Sequence, residues 1–330
     1  MERFEYASPD TLKSAVSLLG NEWGRCEVMA GGTDLVSAMK DSAVTPKRVV
    51  SITRVAGLRG VRSGKGGSLR IGSTTSVREL LANPHVKQHY PGVIQAAEGI
   101  RSEQLRNMGT VGGELLQRPR CWYFRLGYGL MAEYQGKSMP REGDNRYHAI
   151  LGNSGACFVS PSSLAPVLIA LGSSVELYGP GGTREIPLAK LYTTPTQAGE
   201  REHTLHPNEI LTEIIVPGGA GAHSATYEVR QKEAMDWPLA AAAVTLRMEG
   251  GTVRQARVVL GHVAPIPWPS PEANRALEGK IVSEETADAA GKAAVAGATP
   301  LSMNGYKVQL ARVAVKRAIL RAAQSPTGGA

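Results

Sequence analysis

Two pairs of adjacent glycines carry the residues best suited to binding a ligand. The first pair, Gly31-Gly32, is followed by Thr33 and Asp34 and comes directly after the apolar run 26–30. Because glycine tolerates positive φ and lets the backbone approach a ligand closely, the N–H groups of such a turn can form a nest for a phosphate or diphosphate. The alternative is a tight strand–helix turn in which Thr33 or Asp34 caps the helix.

The second pair, Gly112-Gly113, lies between Thr110 and Glu114 and is preceded by Gly109. Its main-chain donors could surround a polar ligand in the same way. Two such loops, each with a threonine and an acid, indicate two sides of one nucleotide site. A pair of independent turns would explain the same pattern.

The usual signatures of other nucleotide sites and of hydrolases are absent from the sequence. No GxGxxG follows the first strand and no P-loop motif occurs, which disfavours both of those phosphate sites. GxSxG and HExxH are also absent, and the seven histidines are scattered. The three cysteines, Cys26, Cys121 and Cys157, cannot supply a four-thiolate cluster, and their odd number and wide spacing favour a reducing compartment.

The elements predicted around the glycine pairs are short strands and helices in irregular order. A strand over 26–30 leads into the first pair, a helix over 35–40 follows it, and a strand is predicted over 210–216. Segment 117–153 is rich in arginine and tyrosine and lacks helical periodicity, which is typical of a long functional loop. Because strands do not alternate strictly with long helices, we expect an α+β fold.

Two helices are predicted from their caps and apolar spacing. The first spans 10–20, with Asp10 as its N-cap. The second spans 304–323, and its basic residues lie away from an apolar side. The residues of that apolar side are Tyr306, Leu310, Val313 and Leu320.

The composition is that of a folded chain with two or three packed units. The chain has 330 residues, of which 42% are hydrophobic and 20% are charged. No apolar run reaches the length of a membrane span, and the first residues show no secretory signal. The net charge of +8 favours acidic ligands or partners. Aromatic residues make up only 5% and do not interleave with the basic runs, so we expect no nucleic-acid binding.

The motifs together resemble the FAD-binding (medium) subunit of the molybdenum hydroxylases, which include xanthine dehydrogenase, carbon monoxide dehydrogenase and aldehyde oxidoreductases. The segments that carry the resemblance are Phe4-x-Tyr6, Ser8-Pro9, Ala30–Leu35, Ile71–Thr75, Arg106–Leu115, Glu209–Leu211 and 304–323. The resemblance implies a two-subdomain FAD-binding fold of the vanillyl-alcohol-oxidase (PCMH) type and a C-terminal α+β domain packed against the flavin. We place the FAD-binding domain at 1–217, with subdomains of about 1–57 and 58–217 and an insertion at about 117–157. The glycine-rich linker 218–222 separates it from a C-terminal domain at 222–330.

The resemblance also implies a role in electron transfer. A large partner subunit with a molybdenum cofactor would hydroxylate the substrate, and a small 2Fe–2S subunit would relay electrons to the FAD of this chain. The FAD would pass them to an acceptor, for which NAD is one candidate. The chain would contribute no catalytic residue of its own, because the cofactor supplies the chemistry. We expect a cytoplasmic protein, or a periplasmic one exported with a signal-bearing partner.

Sixteen cofactor-binding residues are implied by position-by-position matching to the family. In family members Asn or Ser often replaces Glu114, Asp often replaces Ser163, and a Lys often follows the aromatic that matches Tyr227. Arg230 or Lys232 could take the place of that Lys. The expected cofactor-binding residues are Val28, Met29, Ala30, Gly31, Gly32, Thr33, Asp34, Leu35, Ile100, Thr110, Val111, Gly112, Gly113, Glu114, Ser163 and Leu211.

The insertion Gln117–Cys157 resembles one that binds an extra 4Fe–4S cluster through four cysteines in some branches of the family. It contains only Cys121 and Cys157, so we predict that it binds no cluster. Its arginines and aromatics favour docking of partner subunits or cover for one face of the flavin. A packed surface loop is the alternative.

Two other classes of function stay open at this point. One is a free-standing FAD-dependent oxidoreductase without a molybdenum partner. The other is a phosphate-ligand binding module without redox chemistry. Flavin absorbance of the purified protein would exclude the phosphate-ligand binding module. Co-purification of partner subunits would distinguish the molybdenum hydroxylase subunit from the free-standing oxidoreductase.

Overall fold

The computed structural model describes residues 1–219, 222–231 and 236–327. The centre of the predicted linker, the end of the C-terminal tail and Lys232, a candidate for the family lysine, lie outside these residues. The strands are β1 Glu5–Ala7, β2 Cys26–Met29, β3 Arg48–Ser51, β4 Val61–Ser63, β5 Leu69–Gly72, β6 Glu133–Tyr134, β7 Lys137–Ser138, β8 Ser174–Gly179, β9 Gly182–Pro187, β10 Ile210–Val216, β11 Ala222–Val229, β12 Ala240–Glu249, β13 Thr252–Gly261 and β14 Trp268–Pro269. The helices are α1 Leu12–Ser17, α2 Leu35–Lys40, α3 Val77–Ala82, α4 Pro84–His89, α5 Pro91–Gly99, α6 Glu103–Met108, α7 Val111–Leu115, α8 Met139–Glu142, α9 Leu164–Ala170, α10 Pro271–Leu277, α11 Glu284–Ala294 and α12 Tyr306–Gln324.

The N-terminal residues form a parallel three-stranded sheet in the order β1-β3-β2. Helix α1 packs Ala15 and Val16 against Val50 of β3. The observed helix α1 is shorter than the predicted helix 10–20, and the prediction of Asp10 as its N-cap is wrong. Thr11 caps α1 by accepting a hydrogen bond from the Ser14 N–H at 3.1 Å, while Asp10 pairs with an arginine at the surface.

The next residues form a five-stranded antiparallel sheet in the order β4-β5-β10-β8-β9. Helices α3, α5 and α9 cover one of its faces and bury a large apolar cluster with it. Strand β8 alternates half-buried and buried residues, which is the pattern of an antiparallel strand with one face on the core. Ser76 and Glu79 form a capping box that fixes the start of α3 beside the second glycine pair.

The C-terminal residues form a four-stranded antiparallel sheet, β11-β12-β13-β14, covered by α10, α11 and α12. The predicted apolar side of the last helix is only partly confirmed, because Leu310 and Leu320 pack against the apolar cluster at half-buried positions. Tyr306 is exposed, and the stripe that packs on the sheet consists mostly of alanines, because small side chains allow close packing of helix on sheet. Lys307 lies in that buried stripe and is 1% exposed.

The insertion predicted at 117–157 has little regular structure. It contains a short π-helical turn over Phe124–Tyr128, the two-residue hairpin strands β6 and β7, and the single-turn helix α8. Its ends return to the five-stranded sheet unit, and its middle reaches the C-terminal unit, where the Asn145 side chain accepts a hydrogen bond from the Met303 N–H at 2.8 Å. The mixed helix and sheet content of the three units confirms the α+β class.

Candidate functional site

The first glycine pair forms the turn between β2 and α2 and lies directly against the second. Gly32 has φ of +72°, a conformation that favours glycine. A Cβ at Gly31 would lie 1.6 Å from the carbonyl oxygen of Met108, the residue just before the second loop. The two loops are therefore in contact, and glycine at position 31 is what allows that contact.

The first loop presents donors that the protein itself does not use. The N–H groups of Gly31, Gly32 and Thr33 pair with no other group of the described residues. The Ser73 hydroxyl nearby is buried and also lacks a partner within the described chain. Because buried polar groups are almost always hydrogen-bonded, the unpaired Ser73 hydroxyl beside this row of half-buried N–H groups fits an anionic ligand such as a diphosphate.

The second loop is different because the protein satisfies its own N–H groups there. It forms the start of the short helix α7, and Gly112 does not have positive φ. A Cβ on Gly112 would lie 2.8 Å from the Ser73 Cβ, so this glycine serves close packing. The donor–acceptor pairs are Val111 N–H to Thr75 O at 2.8 Å, Gly112 N–H to Ser73 O at 2.8 Å and Gly113 N–H to Thr110 Oγ1 at 3.1 Å.

Two cavities meet at these loops. The first, of about 1070 Å³ with its open mouth, lies between the parallel sheet and the five-stranded sheet and includes Trp23 and Leu211. The second, of about 970 Å³, reaches the C-terminal unit at Arg230 and Trp237. They share residues from both loops, so one elongated ligand could occupy both with its middle at the loops. The shared residues are Thr33, Thr110 and Gly113.

The structure brings the predicted site residues together at the two cavities, with one exception. Val111 lines neither cavity and is fully buried beneath the second loop. Leu211 lines only the first cavity, which the C-terminal unit does not reach. The residues of the first cavity are Val28, Met29, Ala30, Gly31, Gly32, Thr33, Asp34, Leu35, Thr110, Gly112, Gly113 and Leu211. Those of the second are Thr33, Ile100, Thr110, Gly113, Glu114 and Ser163.

The carboxylate of Glu114 is held by the protein at the start of α9. It accepts hydrogen bonds from the Ser162 hydroxyl at 2.6 Å and the Ser163 N–H at 2.7 Å. Burial raises the pKa of this carboxyl to about 7. The Ser163 hydroxyl in turn donates to Glu228 at 2.9 Å, so both predicted residues are tied into the wall of the second cavity.

Arg230, one of the two candidates for the family lysine, lies in the wall of the second cavity. Its guanidinium donates to the carbonyl of Gly99 at 2.7 Å and pairs with Glu228. Arg230 lines the second cavity, but these bonds fix it to the wall.

Asp34 is neutralised by arginines of the insertion, which sequence reasoning did not assign to the site. Its carboxylate accepts from the Arg118 N–H and the Arg125 guanidinium, both at 2.7 Å, and pairs with Arg120 at 3.1 Å. An unpaired carboxylate beside the free N–H groups would repel an anion. The density of arginines over 118–125 was the available signal for this contact.

The cysteines are not gathered into one place. Cys121 Sγ lies 3.2 Å from His148 Nε2, and burial raises the pKa of the Cys121 thiol to about 11. The pKa of Cys157 is raised by burial as well. Cys26 donates to the Leu18 carbonyl in the N-terminal unit. Within the described residues, no group of three or more His, Cys, Asp or Glu side chains could hold a metal ion.

Comparison with known families gives two matches that together span nearly the whole chain. Residues 2–219 match the FAD-binding domain in molybdopterin dehydrogenase. Residues 225–322 match the C-terminal domain of the carbon monoxide dehydrogenase flavoprotein.

Similar proteins are subunits of carbon monoxide dehydrogenases and of an aldehyde oxidoreductase. The carbon monoxide dehydrogenase medium chain of Hydrogenophaga pseudoflava is 30% identical over 96% of both chains. The FAD-binding subunit of an aldehyde oxidoreductase of Escherichia coli is 31% identical over 94% of this chain and 96% of that one. The solved carbon monoxide dehydrogenase of Hydrogenophaga pseudoflava contains a chain with TM-score 0.77 and 29% identity, covering 97% of both chains.

The chain therefore belongs to the FAD-binding subunits of the molybdenum hydroxylase (xanthine dehydrogenase) family. It is an oxidoreductase subunit with FAD as its cofactor, and it has the FAD-binding domain and C-terminal domain of that family. Among the helices of the described residues, none combines the length and hydrophobicity of a membrane span.

Proposed function

We propose that this chain is the electron-transfer subunit of a heteromeric molybdenum hydroxylase. A partner with a molybdenum cofactor would oxidise the substrate, a 2Fe–2S partner would relay the electrons, and FAD in this chain would deliver them to an acceptor. The single observation that carries the proposal is the row of free N–H groups over Gly31–Thr33, placed where two cavities meet. The names of the relatives, medium chain and FAD-binding subunit, support the same role.

The two cavities divide the cofactor between them in this proposal. The diphosphate would lie on the N–H groups of Gly31–Thr33, within reach of the Ser73 hydroxyl. The ring would lie in the second cavity, which the C-terminal unit closes, with Ile100 and Arg230 in its wall. Leu211 would then contact the adenosine half in the first cavity.

When bound, FAD supplies the two-electron chemistry, and the residues of the chain orient it and exclude water. Glu114 and Ser163 shape the second cavity through their bond to each other. Arg120 and Arg125 pair with Asp34 and so offset a negative charge in the first loop that would repel the diphosphate. None of the predicted residues is required to exchange a proton with the substrate, which the partner would bind.

The partners are tested by co-purification. We expect a tagged chain, expressed in its natural host, to retain a large subunit with molybdenum and a small subunit with iron. Recovery of the flavin-loaded chain alone, under conditions that preserve such complexes, would favour the free-standing oxidoreductase. Separation of the periplasmic and cytoplasmic fractions of the host tests the expected cytoplasmic location against export with a signal-bearing partner.

We also propose that the insertion binds no iron–sulfur cluster, so that electrons pass directly from the 2Fe–2S partner to FAD. Cys26 lies in the N-terminal unit and cannot join Cys121 and Cys157 without a rearrangement of the fold. Iron analysis and low-temperature paramagnetic resonance of the separated chain test this proposal. Stoichiometric iron with a cluster signal from this chain would contradict it.

A further inference from the structure

Arg120 is a cation of the insertion that lines the second cavity, where the proposed function places the flavin ring. It also lines a third cavity, of about 910 Å³, between the insertion and the C-terminal unit. The guanidinium carbon of Arg120 lies 4.3 Å from the centroid of the Trp237 ring, and Trp237 lines the same two cavities. The stacked pair therefore forms part of the partition between them. Because an aromatic face holds a planar guanidinium in place, this positive charge has a fixed position beside the second cavity.

The positive charge of Arg120 is compensated only in part. The Oδ1 atom of Asp34 pairs with Arg120 at 3.1 Å and with Arg125 at 2.7 Å, so two guanidinium groups share one carboxylate. The Nε atom of Arg120 is buried and has no hydrogen-bond partner among the described residues. Burial lowers the pKa of Arg120, attraction by Asp34 raises it, and repulsion by Arg125 lowers it further. Because an arginine stays protonated in proteins, surplus positive charge is left beside the cavity.

The other charged groups of the second cavity are bonded within the wall or exposed. Arg230 has a carboxylate of its own in Glu228. Arg101 and Asp236 line the cavity but are exposed, so that solvent and salt screen their charges. The carboxyl of Glu114 accepts hydrogen bonds from the protein, and burial raises its pKa to about 7. None of these groups offsets the charge of Arg120.

Lys307 is a cation of the third cavity and does not line the second. Its Nζ donates to the carbonyl oxygens of Tyr147 and His148, both at 3.1 Å, and of His262 at 2.8 Å. Lys307 thereby joins the insertion to the C-terminal unit. Among the described residues of the second cavity, Arg120 is therefore the half-buried cation that has only a shared carboxylate.

A negative charge on a bound ligand would complete the compensation of Arg120. The diphosphate of FAD does not fit this role, because Gly31 and Gly32 line only the first cavity and Arg120 does not line it. The flavin ring fits, because it becomes an anion when it takes up two electrons and one proton. A fixed positive charge beside the ring binds this reduced form more tightly than the neutral oxidised form.

We propose that Arg120 stabilises the reduced flavin by holding a fixed positive charge beside the negative charge that the ring gains on reduction. The inference rests on the proposed function, which places the ring in the second cavity and names the 2Fe–2S partner as the electron source. In the reaction the ring gains two electrons, one at a time, from that partner and one proton from solvent, so its charge changes from zero to −1. Arg120 exchanges neither electrons nor protons.

The experiment measures the midpoint potential of the complete FAD-loaded chain by reductive titration against a reference dye. We expect Arg120→Gln to lower the ratio of reduced to oxidised flavin about tenfold at a fixed potential, which is a midpoint about 30 mV lower for a two-electron couple. Arg120→Met also removes the charge but keeps a side chain that can pack on Trp237, and it should give the same shift. Arg120→Lys keeps the charge and should recover most of the parent's ratio.

The pH dependence of the midpoint distinguishes a charge effect from a structural one. Between pH 6 and pH 8 the parent should take up one proton for two electrons, because the cation favours the anionic reduced ring. In Arg120→Gln the uptake should approach two protons for two electrons at the acidic end of this range, because the reduced ring then holds its second proton more tightly.

Arg146→Gln is the matched control. Arg146 is an arginine of the same insertion that pairs with Asp144 at 2.6 Å and lies over the Tyr147 ring, but it lines none of the three cavities. A lower midpoint in both charge-free variants, with the control and Arg120→Lys near the parent, supports the inference.

Three results bear on the inference and the proposed function separately. Equal midpoints for the parent and the charge-free variants, all with full flavin content, overturn the inference and leave the proposed function intact. Loss of FAD from a folded Arg120→Gln chain, or weaker FAD binding with an unchanged midpoint, also overturns it, because both would assign Arg120 to a contact with the oxidised cofactor. A folded parent without flavin would instead contradict the proposed function. Unfolding curves confirm that folded proteins are compared.

Discussion

The two glycine loops look alike in sequence but differ in how their backbones are used. In the first loop, the N–H groups of Gly31 and Gly32 have no partner in the described chain, and Gly32 has positive φ. In the second loop, the N–H groups of Gly112 and Gly113 are bonded within the protein. The first loop therefore has the donors to bind a ligand, and the second forms the wall against which that loop is placed.

The difference shows that a glycine pair does not by itself identify a ligand site. The useful criterion is whether the backbone N–H groups of the loop lack hydrogen-bond partners within the folded protein. Changes in the second loop should act first on stability, and changes in the first loop should act first on FAD affinity. Four substitutions test this separation.

The largest effect is expected for Gly112→Val. The added side chain would meet Ser73, whose Cβ is 2.8 Å and whose carbonyl is 2.9 Å from a Cβ at this position. Overpacking of this kind in a buried helix should lower the free energy of unfolding by about 3 kcal/mol. Urea unfolding of the FAD-free chain measures it. An unchanged midpoint with loss of FAD alone would assign ligand contact, rather than packing, to the second loop.

Glu114→Gln tests the role of the second loop in stability through the pH dependence of the free energy of unfolding. The pKa of Glu114 is raised from 4.5 to about 7, so across this window the folded state holds a proton that the unfolded chain releases. The parent therefore loses stability, relative to the variant, as pH rises from 4.5 to 7, by up to about 3 kcal/mol. Unfolding at pH 5 and pH 8 measures this change. Glu249→Gln, at an exposed glutamate, is the control, and a parent–variant difference independent of pH would contradict the account.

Gly32→Ala should separate binding from folding. Residue 32 has φ of +72°, and an alanine in this conformation costs about 1 kcal/mol of stability. The changed turn should also move the N–H donors away from the diphosphate of FAD. The matched control is Gly66→Ala, with φ of +64° in an open turn away from the cavities. We expect similar loss of stability in both and loss of FAD retention only in Gly32→Ala, measured by flavin absorbance. Equal FAD retention would remove the first loop from the site.

The smallest effect on stability is expected for Ser73→Ala. The Ser73 hydroxyl is buried without a partner, so its removal should leave unfolding nearly unchanged and weaken FAD binding about tenfold. Ser173→Ala is the control, because the Ser173 hydroxyl is equally buried and unpartnered but lines neither cavity. Titration of both FAD-free variants with FAD gives the comparison. Matching Kd values would exclude Ser73 from the diphosphate contact.

Much of the local structure could be predicted because periodicity and turn residues report directly on short elements. The predicted strand 210–216 is observed as Ile210–Val216, and the predicted helix 35–40 as Leu35–Lys40. The full buried side of α12 could not be predicted from hydrophobicity, because four alanines and Lys307 make up most of it. That choice depends on how closely the helix packs on the sheet, which no local pattern contains.

The site was predictable to the extent that it follows from local motifs. The glycine loops and the family resemblance led to expected site residues of which all but Val111 line one of the two cavities. The pairing of Asp34 with Arg120 and Arg125, and the meeting of His148 with His262 at Lys307, depend on segments far apart in the chain. Spacing along one segment gives no information about such contacts.

The measurement that tests the account most directly is the flavin content of the purified chain before and after acid denaturation. We expect stoichiometric FAD that is released entirely into the supernatant. The described residues of the second cavity include no histidine or cysteine, the side chains that carry covalent flavins, so binding should be non-covalent. Gly66→Ala should behave like the parent, and Gly32→Ala should be folded without FAD. A folded parent chain without flavin, or flavin that stays with the denatured protein, would contradict the account.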